Sequence, residues 1–205
     1  MNNQMIRADR HLDLGSGPRP RNPLLAESAI GLDLRGAENR DASSTNRVIK
    51  WNAVNDQIPF PDNSFSSCSA FDFFEHVPRI WPSSEQDHIR YPFVDLMSEI
   101  FRVLQPGGVL LAATPVYPAR DAFSDPTHVN FLTLDSHRYF CGPQPWAEMY
   151  GFEGLFESEL VEVGLPHFLY AELPPWGIRK AKLLWRRVLG QQMTHLLWRF
   201  KAVKF

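Results

Sequence analysis

An aspartate and two glycines in Asp13-Leu14-Gly15-Ser16-Gly17, followed further along by the carboxylate of Asp33, are the first residues in this chain with a chemical meaning. Glycines let a ligand approach the backbone closely, and a carboxylate at the end of the next strand accepts hydrogen bonds from both hydroxyls of a ribose. The run reads Gly-x-Gly-x-x-Pro and lacks the third glycine that brings helix and strand together around a pyrophosphate. It therefore points to a nucleoside cofactor and away from a dinucleotide. A second set of residues could move a proton: His76, and Asp125 with His128 in Asp125-Pro126-Thr127-His128. Imidazole titrates near neutral pH, which suits it to take a proton from a hydroxyl or a protonated amine.

These residues need strands and loops to bring them together. A short apolar strand, His11 to Leu14, runs into the glycines, and a second, Ala29 to Leu32, ends at Asp33. Arg47 to Trp51 and Ser67 to Phe73 read as the third and fourth strands, separated by the turn chemistry of Pro59-Phe60-Pro61-Asp62-Asn63-Ser64. Phe93, Leu96, Met97, Ile100, Val103 and Leu104 fall at helical spacing, and Pro106-Gly107-Gly108 is expected to end that helix. Val109 to Thr114 reads as a buried fifth strand, followed by a loop from Pro115 to Pro126. Then come a short helix near Leu134 to Tyr139, a strand from Phe156 to Val163, a basic helix from Ile178 to Leu189 and a last strand from His195 to Val203. Short strands alternating with helical or crossing segments predict a doubly wound, mostly parallel α/β sheet, which binds ligands beyond the carboxyl ends of its strands.

Composition narrows the function further. The 205 residues suffice for one domain, and 21 Lys+Arg against 23 Asp+Glu leave a net charge of −2, with no broad field for nucleic acid. No apolar run approaches the roughly 20 residues of a membrane span, and the opening Met-Asn-Asn-Gln-Met-Ile-Arg lacks the apolar block of a signal peptide, so a cytoplasmic location is expected. Cys68 and Cys141 cannot form a disulfide framework. His76, Asp125, His128 and His137 show no tight His-x-x-x-His spacing, so no metal site is expected.

The order of four segments carries a resemblance: Asp13 to Gly17; Ile58-Pro59-Phe60-Pro61-Asp62-Asn63-Ser64-Phe65; Phe74-Glu75-His76-Val77; and Arg102-Val103-Leu104-Gln105-Pro106-Gly107-Gly108. Over residues 11 to 115 the chain resembles the class I S-adenosylmethionine-dependent methyltransferases. Tyr117-Pro118, the run Ala122 to Asn130, His137 to Cys141 and Trp198 to Lys204 extend the likeness to a subfamily of small bacterial methyltransferases. The resemblance implies a single domain, 1–205, with a Rossmann-like seven-stranded sheet whose last strand runs antiparallel. Residues 11–115 would form the cofactor core and 116–205 the acceptor-side loop and C-terminal strand pair. S-adenosyl-L-methionine would be the cofactor, with Asp13, Gly15, Ser16 and Gly17 beside its methionine part and Asp33 on the ribose. Asn52, with Asn55 behind it, would border adenine, and Asp72 and Phe73 the methyl end.

Two departures from the family pattern have consequences. Asn52 and Ala53 stand where many relatives have an adenine-contacting Asp. Pro18-Arg19-Pro20-Arg21-Asn22-Pro23 replaces a helix start, so Arg19 or Arg21 is expected to supply the positive charge for the methionine carboxylate. His128 is the expected base, with Asp125 orienting it and His76 as the alternative, for an oxygen or nitrogen of a small-molecule or glycan acceptor. The acceptor would lie between residues 117–130 and the segment Trp81 to Tyr91. Little chain precedes the first strand, so a short lid or none is expected at the N-terminus. From Gly177 to Phe205 the chain holds eight basic residues and no acidic one, against 13 basic and 23 acidic elsewhere. Residues 178–189 would pack on the sheet with a basic side in water, or rest on an anionic surface. Two rivals stay open at this point: a non-catalytic cofactor-binding or scaffold subunit of the same fold, and a nicotinamide-dependent oxidoreductase.

Overall fold

The computed structural model describes residues 9–36, 47–82, 89–165 and 193–205. The basic segment 178–189, the chain before Asp9 and part of the expected acceptor segment 81–91 lie outside the described residues. In chain order the strands are β1 (Arg10–Leu14), β2 (Ser28–Asp33), β3 (Arg47–Lys50) and β4 (Phe65–Phe71). A two-residue antiparallel ribbon, β5 (Trp81–Pro82) and β6 (Ile89–Arg90), precedes helix α1 (Pro92–Val103). Strand β7 (Leu104–Pro115), a single turn α2 (Asp121–Ser124), β8 (Phe156–Gly164) and β9 (His195–Ala202) complete the set.

Seven strands form one sheet in the order β3-β2-β1-β4-β7-β9-β8. The first five pair in parallel, and β9 runs antiparallel between β7 and β8. The order reverses between β1 and β4, so the loops after both strands open into one crevice at their carboxyl ends. This is the expected doubly wound sheet with its antiparallel end.

The two faces of the sheet differ in chemistry. Leu12, Leu14, Cys68, Ala70, Leu110, Ala112, Leu196, Trp198 and Phe200 point to one side and join Phe93, Leu96, Met97, Ile100 and Val103 of α1 in the main core. Burial of each such side chain contributes about 1.5–3 kcal/mol, which fixes the helix far more firmly than its propensity does. The alternate residues of β1 and β4 are polar: His11, Asp13, Ser67 and Ser69, all buried. Both cysteines are buried and free.

The helix ends earlier than its sequence pattern suggests. Val103 is its last residue, Leu104 already has extended geometry, and β7 starts there without a loop. Leu104 pairs with Phe65 and Val109 with Ser67, so β7 carries three more residues than β4 over that stretch. Pro106-Gly107-Gly108 therefore makes a bulge inside the strand, with Gly107 at φ +78°, and does not cap the helix. The expected helix near Leu134 is a 3₁₀ turn, Ser136–Tyr139, and a further one spans Trp146–Tyr150. Among the described residues no helix is long and apolar enough to cross a membrane.

Candidate active site

Gly15 and Gly17 turn the chain sharply at the end of β1, with φ of +64° and +61°. The amides of Gly15 and Ser16 donate to the Leu32 carbonyl at 2.8 and 3.3 Å, which locks the bend to the end of β2. Gly31 makes room for this, because a Cβ there would collide with the Ser16 hydroxyl. A Cβ on Gly15 would meet the Phe73 ring at 2.6 Å, whereas one on Gly17 would meet nothing within 4 Å. Gly17 thus borders open space on the ligand side of the bend.

Asp33 faces the same bend. Its Oδ2 accepts the Gly17 amide at 2.9 Å and its Oδ1 the Arg35 amide at 2.9 Å. Each carboxylate oxygen keeps a second lone pair for a ligand hydroxyl. The Trp51 amide donates to the Asp33 carbonyl at 2.9 Å, and the Trp51 indole is held by the carbonyls of Asp56 and Gln57. That places the Asn52 turn beside Asp33. Asn52 spends its Oδ1 on the Val54 amide at 3.0 Å, and Asn55 is exposed. A cavity of about 360 Å³ lies behind this turn, between Ala53 to Gln57 and α1 residues such as Leu96 and Glu99, away from Gly15 and Asp33.

Asp13 and the two arginines are placed less as the sequence suggests. The Asp13 carboxylate is fully buried on the polar face of the sheet, where it accepts from the Ser69 hydroxyl at 2.7 Å and from the Arg21 amide at 2.7 Å. Burial pushes its pKa up, against the pull of Arg21. It ties the proline-rich loop to the sheet. The Arg21 guanidinium donates to the carbonyls of Gly15 and Phe71 at 3.1 and 3.3 Å, over the Phe71 ring. Arg19 is exposed and makes no hydrogen bond or ion pair with the described residues. Of the two, Arg21 is the one at the strand ends.

At the end of β4 the chain turns through Asp72, a non-glycine residue at φ +52°. Such a conformation costs of order 1–3 kcal/mol and recurs where function constrains the backbone. The Asp72 Oδ1 lies 2.9 Å from Nε2 of His195. His195 reaches this point because β9 runs antiparallel and so begins at the site end of the sheet. In the sequence His195 stands only at the start of the last strand, and the antiparallel direction of that strand is what carries it here.

The two loops expected to hold the acceptor are stitched together by backbone. The amides of Val129 and Asn130 donate to the Glu75 carbonyl at 2.8 and 3.0 Å, and Asn130 Nδ2 donates to the Phe74 carbonyl at 3.1 Å. This brings His76 and His128 edge to face, ring centroids 4.8 Å apart. The His128 Nε2 stands 4.0 Å from Asp125 Oδ2. The Thr127 hydroxyl donates to Asp125 Oδ1 at 2.7 Å, and its hydroxyl and amide together hold the Asp125 carboxyl below the usual range. Glu75, given no role by sequence, is buried under this pair and accepts from the Thr114 hydroxyl at 2.9 Å; burial pushes its pKa up. Phe123 and Tyr117, both about half exposed, lie on the loop that carries His128 and meet edge to face at 6.0 Å, with Phe123 stacked on Phe131 at 4.7 Å. His137 instead bonds the Leu134 carbonyl, outside this cluster.

Fold and site together define a doubly wound α/β protein with a ligand crevice at the carboxyl ends of its parallel strands. Residues 12–112, about half the chain, match the methyltransferase domain family. Solved structures agree on the fold. A chain of the complex between the Haloferax volcanii Trm112 methyltransferase activator and a methyltransferase superposes with a TM-score of 0.55 at 14% identity, over 97% of this chain and 84% of that one. An S-adenosylmethionine-dependent methyltransferase from Mesorhizobium loti gives 0.54 at 15%, over 95% and 92%. The 4+2 cyclase SpnF gives 0.52 at 19%, over 97% and 76%. No curated protein matches the sequence. The chain belongs to the class I S-adenosylmethionine-dependent methyltransferases, and S-adenosylmethionine is its cofactor. The open cradle at Gly17 and the unspent lone pairs of Asp33 suit that nucleoside.

Proposed function

We propose that this enzyme methylates an oxygen or nitrogen of a small-molecule or glycan acceptor, with Asp33 on the cofactor ribose and His128 as the proton acceptor. The observation that carries the reading is the meeting of His76 and His128, from the loops after two neighbouring parallel strands, at the carboxyl ends where such sheets bind ligands. Bound S-adenosylmethionine supplies an activated methyl carbon on a sulfonium. The protein's task is to align the acceptor, exclude water and receive one proton. Alignment is the larger contribution, on the order of 10⁵ M or more in effective concentration, against about 10² to 10⁴ in rate for a general base. The half-exposed rings of Tyr117 and Phe123, on the loop that also carries Asp125 and His128, offer an apolar face of the kind on which a sugar ring stacks. Gly15, Ser16, Gly17, Asn52, Asp72 and Phe73 are proposed as the cofactor's remaining surroundings, with Arg21 in place of Arg19 at the methionine carboxylate. The location proposed is the cytoplasm.

The test separates the two halves of the site. Methyl-labelled cofactor is supplied with a panel of sugar acceptors, and S-adenosylhomocysteine affinity is measured by calorimetry. His128→Ala should lower turnover by about 10²-fold or more with affinity within about twofold. Asp33→Ala should lose affinity first. Tight binding with no transfer to any acceptor would favour a non-catalytic subunit instead, and unaltered turnover in both His128→Ala and His76→Ala would remove the imidazoles from the reaction.

A further inference from the structure

We propose that Glu75, His76 and His128 hold one divalent transition-metal ion at the acceptor end of the groove. The proposal rests on the preceding reading for the ion's purpose and changes one role in it, His128 serving as a ligand of the ion that activates the acceptor and not as the proton acceptor; the geometry stands by itself. One nitrogen of each imidazole and a carboxylate oxygen of Glu75 lie within 4.8 Å of one another. Protein ligands sit about 2.0–2.2 Å from zinc-sized ions, so the ligands of one tetrahedral site stand about 3.3–3.6 Å apart. Closing the cluster takes at most about 1.5 Å, which the exposed His76 ring can supply.

The protons on both rings are placed as a metal site requires. The Thr127 hydroxyl has a single proton and gives it to Asp125, so toward His76 Nδ1, 3.0 Å away, it acts as an acceptor. His128 Nδ1 faces the Ala122 carbonyl at 3.1 Å, which can only accept. Each neutral ring therefore carries its hydrogen on Nδ1 and a lone pair on Nε2. Ligating histidines usually have their second nitrogen fixed in this way by a carbonyl or a carboxylate-linked group.

Glu75 supplies the third argument. Glu75 is 2% exposed; its carboxylate accepts from the Thr114 hydroxyl and its own backbone amide, and among the described residues no lysine or arginine pairs with it. A buried carboxylate is costly unless a cation or several donors meet it, and an ion between it and two imidazoles would do so. Two imidazoles and one carboxylate suit zinc or ferrous iron better than magnesium and leave positions open for an acceptor. A hydroxyl bound there has its pKa lowered; its O–H bond breaks, the proton leaves to solvent, and the electron pair stays on the oxygen.

The experiment uses the untagged full chain, stripped by chelator dialysis, titrated with Co²⁺ by visible absorption and with Zn²⁺ by calorimetry. S-adenosylhomocysteine binding is measured alongside as the check on folding. The expected result is one ion per chain, with affinity reduced at least about 100-fold in His76→Ala and in His128→Ala. Thr127→Val, which alters no ligand, should reduce it by about tenfold and keeps the test valid if a histidine variant fails to fold. Wild-type protein that binds S-adenosylhomocysteine but takes up no stoichiometric ion overturns the metal site and leaves His128 as a free base. Equal uptake by wild type and folded histidine variants also overturns it. Failure to bind S-adenosylhomocysteine with or without the ion overturns the underlying functional reading instead.

Discussion

Gly15 and Gly17 share a left-handed backbone but differ in what surrounds them, and the difference can be measured. At Gly15 an added methyl meets the Phe73 ring at 2.6 Å, so Gly15→Ala should cost of order 2–4 kcal/mol from backbone strain and collision together. At Gly17 the backbone alone objects, and Gly17→Ala should cost about 1–2 kcal/mol. If the space at Gly17 belongs to the cofactor, S-adenosylhomocysteine affinity in that variant falls by more than its stability does. Parallel urea titrations and calorimetry decide it. His11 offers a pH test. It lies buried between the Ser67 and Ser69 hydroxyls at 2.7 and 2.8 Å, and burial lowers its pKa from 6.5 to about 4. The unfolded chain therefore binds the proton first, so this residue's contribution to stability is intact above pH 6.5 and is lost as pH falls toward 4. A drop of about 2–3 kcal/mol between pH 7 and pH 4.5 is expected from His11 and should be missing in His11→Gln. An equal drop in wild type and variant would assign the acid sensitivity to other groups. His11 is legible in the sequence only as the start of the first strand, because the serines that flank its ring come from a neighbouring strand far along the chain.

At the scale of elements, one arginine joins the turn chemistry before β4 to the helix after it. Arg102 donates to Glu99 Oε1 and Oε2 at 2.8 Å each, to Asp62 at 2.9 Å, and to the carbonyls of Phe60 and Ile58 at 2.8 and 2.9 Å. Glu99 in turn accepts the Ile58 amide at 2.8 Å, and the Arg102 bonds hold its carboxyl below the usual range despite partial burial. Arg102→Ala should destabilise by about 1–3 kcal/mol, discounted because the guanidinium is partly exposed, and Arg102→Lys should recover little since it cannot make the forked contacts. A urea midpoint unchanged by Arg102→Ala would show the clamp to be energetically idle. Both partners were visible in the sequence, in Ile58 to Phe65 and in Arg102 to Gly108, but only as motifs in order. Periodicity located α1 because its apolar stripe had one solution. It misplaced the helix end because Leu104 continues the stripe in type while its backbone has already joined the sheet through Phe65. The ribbon of β5 and β6, with two residues per strand, is too short to leave a period at all.

For the whole molecule, the division of labour follows the sheet order. Residues read from motifs in the first half of the chain arrive at the switch point because β1, β2 and β4 are neighbours, and no side-chain detail is needed for that. The acceptor end is different, since His76 and His128 are 52 positions apart and only the pairing of their loops unites them. Local spacing gave no reason to expect a ligand cluster there, and it could not have done so. Asn130 is the joint that decides whether the halves act separately. It is buried at 1% exposure, donates to the Phe74 carbonyl, and accepts from Arg79 Nε at 2.9 Å. Removing it leaves the Phe74 carbonyl without that donor and Arg79 held to the loop only through the Phe131 carbonyl, at about 1–3 kcal/mol. The Asn130→Ala loop, residues 116–132, should then be cut by protease about 5- to 150-fold faster, since local opening of this size scales the cleavable population by that factor. The cradle of Gly15, Gly17 and Asp33 makes no contact through Asn130, so S-adenosylhomocysteine affinity should move by less than about twofold. A matching loss of affinity would mean that the acceptor loop also shapes the cofactor pocket, and the two halves of the site would then have to be treated as one cooperative unit.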